Sequence, residues 1–225
     1  MVITTMNMFR NKCNEIRKSR GTTKCFKTTK RIDSIAKVAL TKQGKLCISS
    51  SKILGPIPGV HVGDRFEYRI ELTIVGLHSR NEHGIDYMEH PKIFNKTVAT
   101  CVVAKEGCKD EINDNDEVIT YIGEGGIVRN KQRDYCPKDQ KLTKGNLAMV
   151  NSFFINNDVR VVRGINVAPN KTAYVYDGLY KVMSYKQKIE PAGNLIFEFK
   201  LVRSDGQTVV PWNELKSNAS FGMFC

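Results

Sequence analysis

Past residue 65 the chain is dominated by short β-branched and aromatic runs: TVATCVVA, EVITYIG, VRVVRGI and LIFEFKLVRS. Runs of this length and composition, set off by Gly, Asn and Asp, favour strands. RFEYRIELTIVG, 65–76, alternates Phe66, Tyr68, Ile70, Leu72 and Ile74 with mainly polar partners and reads as a further strand. TAYVYDGLYKVMSYKQK reads as two strands joined at Asp177-Gly178, a common two-residue turn. Two segments carry helical spacing instead. IDSIAKVALTK, 32–42, puts Ile32, Ile35, Ala36, Ala39 and Leu40 on one face, with Asp33 or Ser34 as its cap. GNLAMVNSFF, 145–154, has Asn146 as cap and Leu147, Val150 and Phe154 on one side. ILGPIPGVHVGD, 53–64, with two prolines and three glycines, is an ordered lead-in loop. There is no internal repeat. The pattern describes a curved sheet or barrel of the α+β class, mainly β.

Charge divides the chain. Residues 1–52 hold 13 Lys/Arg against Glu15 and Asp33, whereas the rest of a chain of net charge +12 is close to neutral. Met6, Met8 and Phe9 hint at an amphipathic helix, but the polar residues between them weaken that pattern. The segment is therefore read as a flexible basic arm over 1–32, followed by a helix and linker over 33–52. Such an arm suits nucleic acid, an acidic protein or a nuclear import receptor. No apolar run reaches the roughly 18 residues a membrane span needs, and MVITTMNMFRNK has no signal-peptide core. Seven cysteines at irregular spacings, without a C-x-x-C pair, argue against a disulfide framework and a zinc site. Free thiols fit a reducing compartment, cytosol or nucleus. The four histidines, His61, His78, His83 and His90, read as loop or surface residues, with no nucleophile–base pairing.

GCKDEINDNDEVITYIGEGG, 107–126, is acidic inside this basic chain. An EF-hand would need D-x-[DN]-x-[DN]-G and a terminal glutamate, and Asp114-Asn115-Asp116 lacks that alternation. No metal is expected.

GPIPGVHVGDRFEYRIELTIVGLH, GIDYM, TYIGEGG, DQKLTKGNLAMVNS, VRVVRG, YVYDGLYKV, FEFKLVR and PW occur here in this order. Together they resemble the SRA (SET- and RING-associated) or YDG domain, in the form carried by plant Su(var)-type histone methyltransferases. The resemblance spans 53–212, within a domain drawn at 53–215 and a C-terminal tail at 216–225. It implies a twisted, crescent-shaped β-barrel flanked by helices, and binding of DNA carrying 5-methylcytosine. The modified base is flipped into a pocket while loops enter the duplex from both grooves. Unstacking costs a few kcal/mol, which stacking and hydrogen bonds in the pocket must offset.

The resemblance also assigns residues. Two tyrosines sandwich the base; Tyr121 matches the second, and Cys108 stands where the first is expected, without a π-face. The aspartate that accepts from the exocyclic amine aligns with Glu111 given one extra residue, and with Ile112 otherwise. Gly123 and its neighbouring glycines allow close backbone approach. The loop that fills the hole left by the base lies in HSRNEHGIDY, with Glu82 where relatives often carry glutamine, and Arg80 or His83 as alternatives. A second DNA-entering loop, IVRNKQRDYCPK, offers Arg129, Asn130, Lys131 and Arg133. Tyr176, Asp177 and Gly178 set a structural turn, Tyr176 and Tyr180 are core aromatics, Arg160 or Arg163 reaches the DNA backbone, and Trp212 packs the barrel end.

The expected function is a non-enzymatic reader of methylated duplex DNA in the nucleus, needing no cofactor and no small-molecule substrate. Chromatin proteins or histones are further expected partners. The alternative is an SRA-like domain with a degenerate pocket that binds DNA non-specifically or serves as a protein-interaction module. A cysteine-rich zinc segment and a SET domain do not follow in this sequence, so histone methylation is not expected of it.

Overall fold

In a computed structural model the described residues are 2–22, 31–46, 51–105, 111–112, 117–129, 135–168, 171–212 and 215. Among them the order is α1 (Val2–Thr22), α2 (Ile32–Lys42), β1 (Arg65–Phe66), α3 (Arg69–Ile74), β2 (Ile85–Glu89), β3 (Thr97–Lys105), β4 (Glu111–Ile112), β5 (Val118–Ile122), β6 (Ile127–Arg129), β7 (Tyr135–Pro137), α4 (Lys144–Ile155), β8 (Val159–Ala168), β9 (Lys171–Ile189) and β10 (Leu195–Arg203). An eight-stranded sheet runs β2-β3-β8-β9-β10-β5-β4, with β1 paired to β9; β6 and β7 form a separate hairpin. Among the described residues only β3 and β8 pair in parallel. The mainly-β, α+β class is the one the sequence implied. Among the described residues no helix is long and apolar enough to cross a membrane.

The central strands are covered on both sides, which explains why TVATCVVA and VRVVRGI are continuous rather than alternating. Helix α4 lies on one face, where Ala148, Met149 and Val150 pack with Val102, Val159, Val161 and Phe199. On the other face α1, α2 and α3 pack over Cys101, Val103, Val162, Tyr174 and Tyr176. Trp212 closes one end with Ile165, Val175, Val210 and Leu215, as the resemblance implied.

The N-terminal segment departs from the expected flexible arm. Val2, Met6, Phe9, Cys13 and Ile16 recur at alternating spacings of four and three, and this stripe packs into the core with Phe9 fully buried. Arg10 fastens the helix by donating from Nε to Glu71 Oε1 at 2.9 Å and from Nη2 to the Arg65 carbonyl at 2.9 Å. Phe9 meets the Tyr68 ring edge-on at 6.1 Å. Arg17 and Lys18, two of the cations that suggested a loose arm, lie exposed on this docked helix.

Three other local readings change. The segment 65–76 is a two-residue strand and the helix α3, not one strand. All six residues of α3 are buried, so its period-two pattern reports no single exposed face. Glu71 starts the helix, because its Oε2 accepts from the Glu67 amide at 2.6 Å and the Tyr68 amide at 3.3 Å. In α4 the cap position is Thr143 and Asn146 lies buried one turn in, while Phe154 is 71% exposed. The expected turn at Tyr176-Asp177-Gly178 is instead a bulge inside the continuous strand β9. Val161 pairs with Gly178 and Val162 with Tyr176, leaving Asp177 as the extra residue. Gly178 takes φ +119°, and Gln207 Oε1 occupies the space a Cβ would need, accepting from the Leu179 amide at 2.7 Å.

Candidate nucleic-acid interface

Strand β5 carries Tyr121 inward, opposite Phe199 of β10. Its ring is 3% exposed and packs with Ile85, Ile119 and Phe199. The strand ends in the turn Gly123-Glu124-Gly125-Gly126, and polar side chains fix it on three sides. Gln140 donates from Nε2 to the Gly123 carbonyl at 2.6 Å, and its Oε1 accepts from the Phe197 amide at 2.8 Å. Asn146 accepts from the Glu124 amide at 2.8 Å and donates to the Glu124 carbonyl at 3.0 Å. Glu124 Oε1 accepts from the Ile85 amide at 2.6 Å, and Oε2 lies 3.7 Å from His83 Nδ1. One carboxylate of the acidic stretch thus ties the glycine turn to the loop before β2.

That loop, 78–84, stands on a buried polar base. His78, expected at the surface, is buried; its Nε2 lies 3.2 Å from the Gly84 carbonyl and its Nδ1 accepts from the Arg80 amide at 3.3 Å. Burial, with Arg69 beside the ring, pushes the His78 pKa down to about 3. Asp86 accepts from Ser79 N at 2.9 Å, Ser79 Oγ at 2.9 Å and Lys52 Nζ at 2.6 Å. Burial alone would raise its pKa, but Lys52 and the Ser79 amide hold it below the usual value. Arg69 runs under the loop, donating from Nη2 to the His83 carbonyl at 2.7 Å and from Nε to the Asn81 carbonyl at 3.4 Å. Burial lowers its pKa. Arg80 is held over the Tyr87 ring, 4.7 Å from guanidinium to centroid. Glu82 and His83 are left exposed at the tip.

The loop and the glycine turn meet at Gly84. A Cβ there would fall 2.3 Å from Tyr121 Oη. Gly84→Ala is expected to push the loop and the ring apart at a cost of about 1–3 kcal/mol. Urea unfolding at pH 7 checks it, and an unchanged midpoint would mean the two are not held together.

Other assigned residues lie elsewhere. Glu111 pairs with Thr120 in backbone register, one position before Tyr121. Arg129 opens the β6–β7 hairpin opposite Tyr135. Cys108, Asn130, Lys131 and Arg133 lie outside the described residues. Arg160 and Arg163 do not reach outward as expected; both are buried. Arg160 Nη1 donates to the carbonyls of Ile53 at 2.9 Å and Gly55 at 2.6 Å, pinning the lead-in loop. Arg163 donates from Nε to Asp177 Oδ2 at 2.6 Å and lies over the Trp212 ring. Glu124, Gln140 and Arg69 had no role assigned from the sequence, and Asn146 was read only as a helix cap. The nearest signal was Glu124 sitting between glycines. Among the described residues no group of His, Cys, Asp and Glu could hold a metal ion.

The SAD/SRA domain family model matches residues 53–207, more than half of the chain. The chain belongs to the SAD/SRA domain family. It is 44% identical over 184 residues to the H3 lysine-9-specific histone-lysine N-methyltransferase SUVH5 of Arabidopsis thaliana, and 39% identical over 210 residues to a YDG domain-containing protein of the same plant. It spans 22% of the former's length and 62% of the latter's. Among solved structures, the SUVH5 SRA bound to fully methylated CG DNA aligns with TM-score 0.62 at 45% identity, over 72% of this chain and all of that one. Arabidopsis thaliana SUVH6 in complex with SAM aligns with TM-score 0.78 at 38% identity, over 96% of this chain and 41% of that one. Residues 53–225 alone cannot supply that share, so the likeness takes in N-terminal helices as well as the SRA domain.

Proposed function

We propose that this SRA domain is a non-enzymatic, cofactor-free DNA-binding module that reads 5-methylcytosine in duplex DNA by drawing the base out of the stack. The observation that carries the reading is the 45% identity to an SRA domain crystallised on methylated CG DNA, matched over that domain's whole length. Tyr121 with Glu111 and Cys108 forms one wall of the pocket, and the Gly123 turn lies beside the phosphates. The loop bearing Arg80, Glu82 and His83 enters from one groove, and the hairpin bearing Arg129, Asn130, Lys131 and Arg133 from the other. The fixed Glu124–Ile85 bond supports this reading, because it holds the inserting loop against the pocket wall. Action on chromatin in the nucleus, beside histones or other chromatin proteins, belongs to the same proposal.

A second reading is DNA binding without methyl selectivity. It is favoured by the near-complete burial of Tyr121 and by Cys108 in place of a tyrosine. The two separate in a titration of one duplex with and without 5-methylcytosine at two salt concentrations. The reader should bind the methylated duplex about tenfold more tightly at both, or about 1.4 kcal/mol. Cys108→Tyr should widen the ratio. Equal affinities in both salts would leave only the second reading.

A further inference from the structure

We propose that the seam between the N-terminal helices and the sheet is a phosphate-binding surface that continues the DNA contact begun by the 78–84 loop. The proposal rests on the DNA-binding reading above and extends it to α1 and α2.

A cavity of about 580 Å³ opens along this seam, walled by Arg17, Arg31, Arg69, Lys171, Tyr68 and Tyr174. A smaller one of about 180 Å³ shares Arg31, Arg69 and Tyr174 with it and is rimmed by Asn81, Glu82 and His83. The tip of the loop and the helical seam therefore border adjoining recesses. Arg69 lines both. That residue is 8% exposed, and with Nε and Nη2 given to loop carbonyls its Nη1 is buried with no hydrogen-bond partner among the described residues. A buried guanidinium N–H without an acceptor is uncommon, and an anion is the acceptor that would satisfy it most strongly.

The charges around it agree. Across the two cavities four cations, Arg17, Arg31, Arg69 and Lys171, face three carboxylates, Asp33, Glu67 and Glu82. Asp33 is already held by Arg31, at 3.1 Å from Nε and 2.6 Å from Nη2. Among the described residues the Lys171 ammonium has no hydrogen bond or ion pair, and the Arg17 guanidinium bonds only neutral partners, Tyr68 Oη and Asn14 Oδ1, each at 2.6 Å. Guanidinium forks and an ammonium beside them suit a tetrahedral oxyanion. The oxyanion has two sources, a backbone phosphate of the bound duplex or free phosphate. Continuity with the inserting loop favours the backbone.

The test uses the full chain with Arg17→Gln and Lys171→Gln combined, both at exposed positions. Fluorescence anisotropy follows methylated and unmethylated duplexes from 50 to 200 mM salt. The double variant is expected to bind both duplexes about tenfold more weakly, with a log–log salt slope smaller by about 2. Lys186→Gln with Lys188→Gln, the same loss of charge far along strand β9, is the control and should keep the slope. An unchanged slope in the first variant, or equal losses in both, overturns the proposal. Inorganic phosphate at constant ionic strength separates the sources. A Tm rise in the wild type that the first variant loses, with DNA binding unchanged, overturns the backbone contact and assigns the recess to free phosphate. Because both duplexes are read, absence of a methyl preference defeats the reader hypothesis without touching this one.

Discussion

Asp177→Ala is expected to destabilise the fold by about 3–5 kcal/mol, the cost of removing one partner from a buried ion pair. Asp177 is fully buried in the β9 bulge. Its Oδ2 accepts from Arg163 Nε at 2.6 Å and Tyr180 Oη at 2.5 Å, and its Oδ1 accepts from Arg203 Nη1 at 2.9 Å. Burial and the neighbouring carboxylate push the Tyr180 hydroxyl up to about 12, so it stays a donor. Truncation leaves two guanidiniums and a phenol without their shared acceptor. Asp177→Asn keeps the shape and loses the charge, and should cost less. Urea unfolding at pH 7 measures both; a loss under about 1 kcal/mol for the alanine variant would mean that the cluster contributes little beyond packing.

Acidification from pH 7 to pH 4 is expected to cost about 3 kcal/mol through His78 alone. The unfolded imidazole takes up a proton as pH falls through about 6.5, whereas the folded one resists until about 3. Between those values the unfolded state holds more protons, so stability falls as pH falls. Asp86 acts in the same direction below its unfolded value, since its folded pKa is lowered. Glu71 acts oppositely: burial raises its pKa despite Arg10, so the folded state takes up a proton first and gains stability as pH falls towards 4.5. The measurement is therefore the difference between the wild type and His78→Asn across the window. Parallel stability curves for the two would exclude His78 as the source.

The candidate site was legible in part. TYIGEGG and HSRNEHG stood out in the sequence because turn glycines and a polar loop flank apolar strands, and in the fold they meet at Gly84 and Tyr121. What joins them was not legible. Glu124 reads as one acid among six, and only its position 2.6 Å from the Ile85 amide gives it a task. Asn146 reads as a cap because Asn favours that position, but the turn at Gly123 and Glu124 needs its amide more than the helix does. Arg160 and Arg163 read as outward strand residues, yet Leu77 and the lead-in loop enclose the first and Asp177, Tyr180 and Trp212 the second.

Composition and order along the chain determined the class of fold and the family, because β-branched runs and motif order are local properties. The docked N-terminal helix was decided only by tertiary structure. Its Val2-Met6-Phe9-Cys13-Ile16 stripe is thin and surrounded by cations, so it is marginal as an isolated helix, and gains its stability when the sheet supplies an apolar surface and Glu71 a partner for Arg10. The bulge at Asp177 was decided the same way, since a dipeptide that favours a turn in isolation is held straight by partners on three other segments.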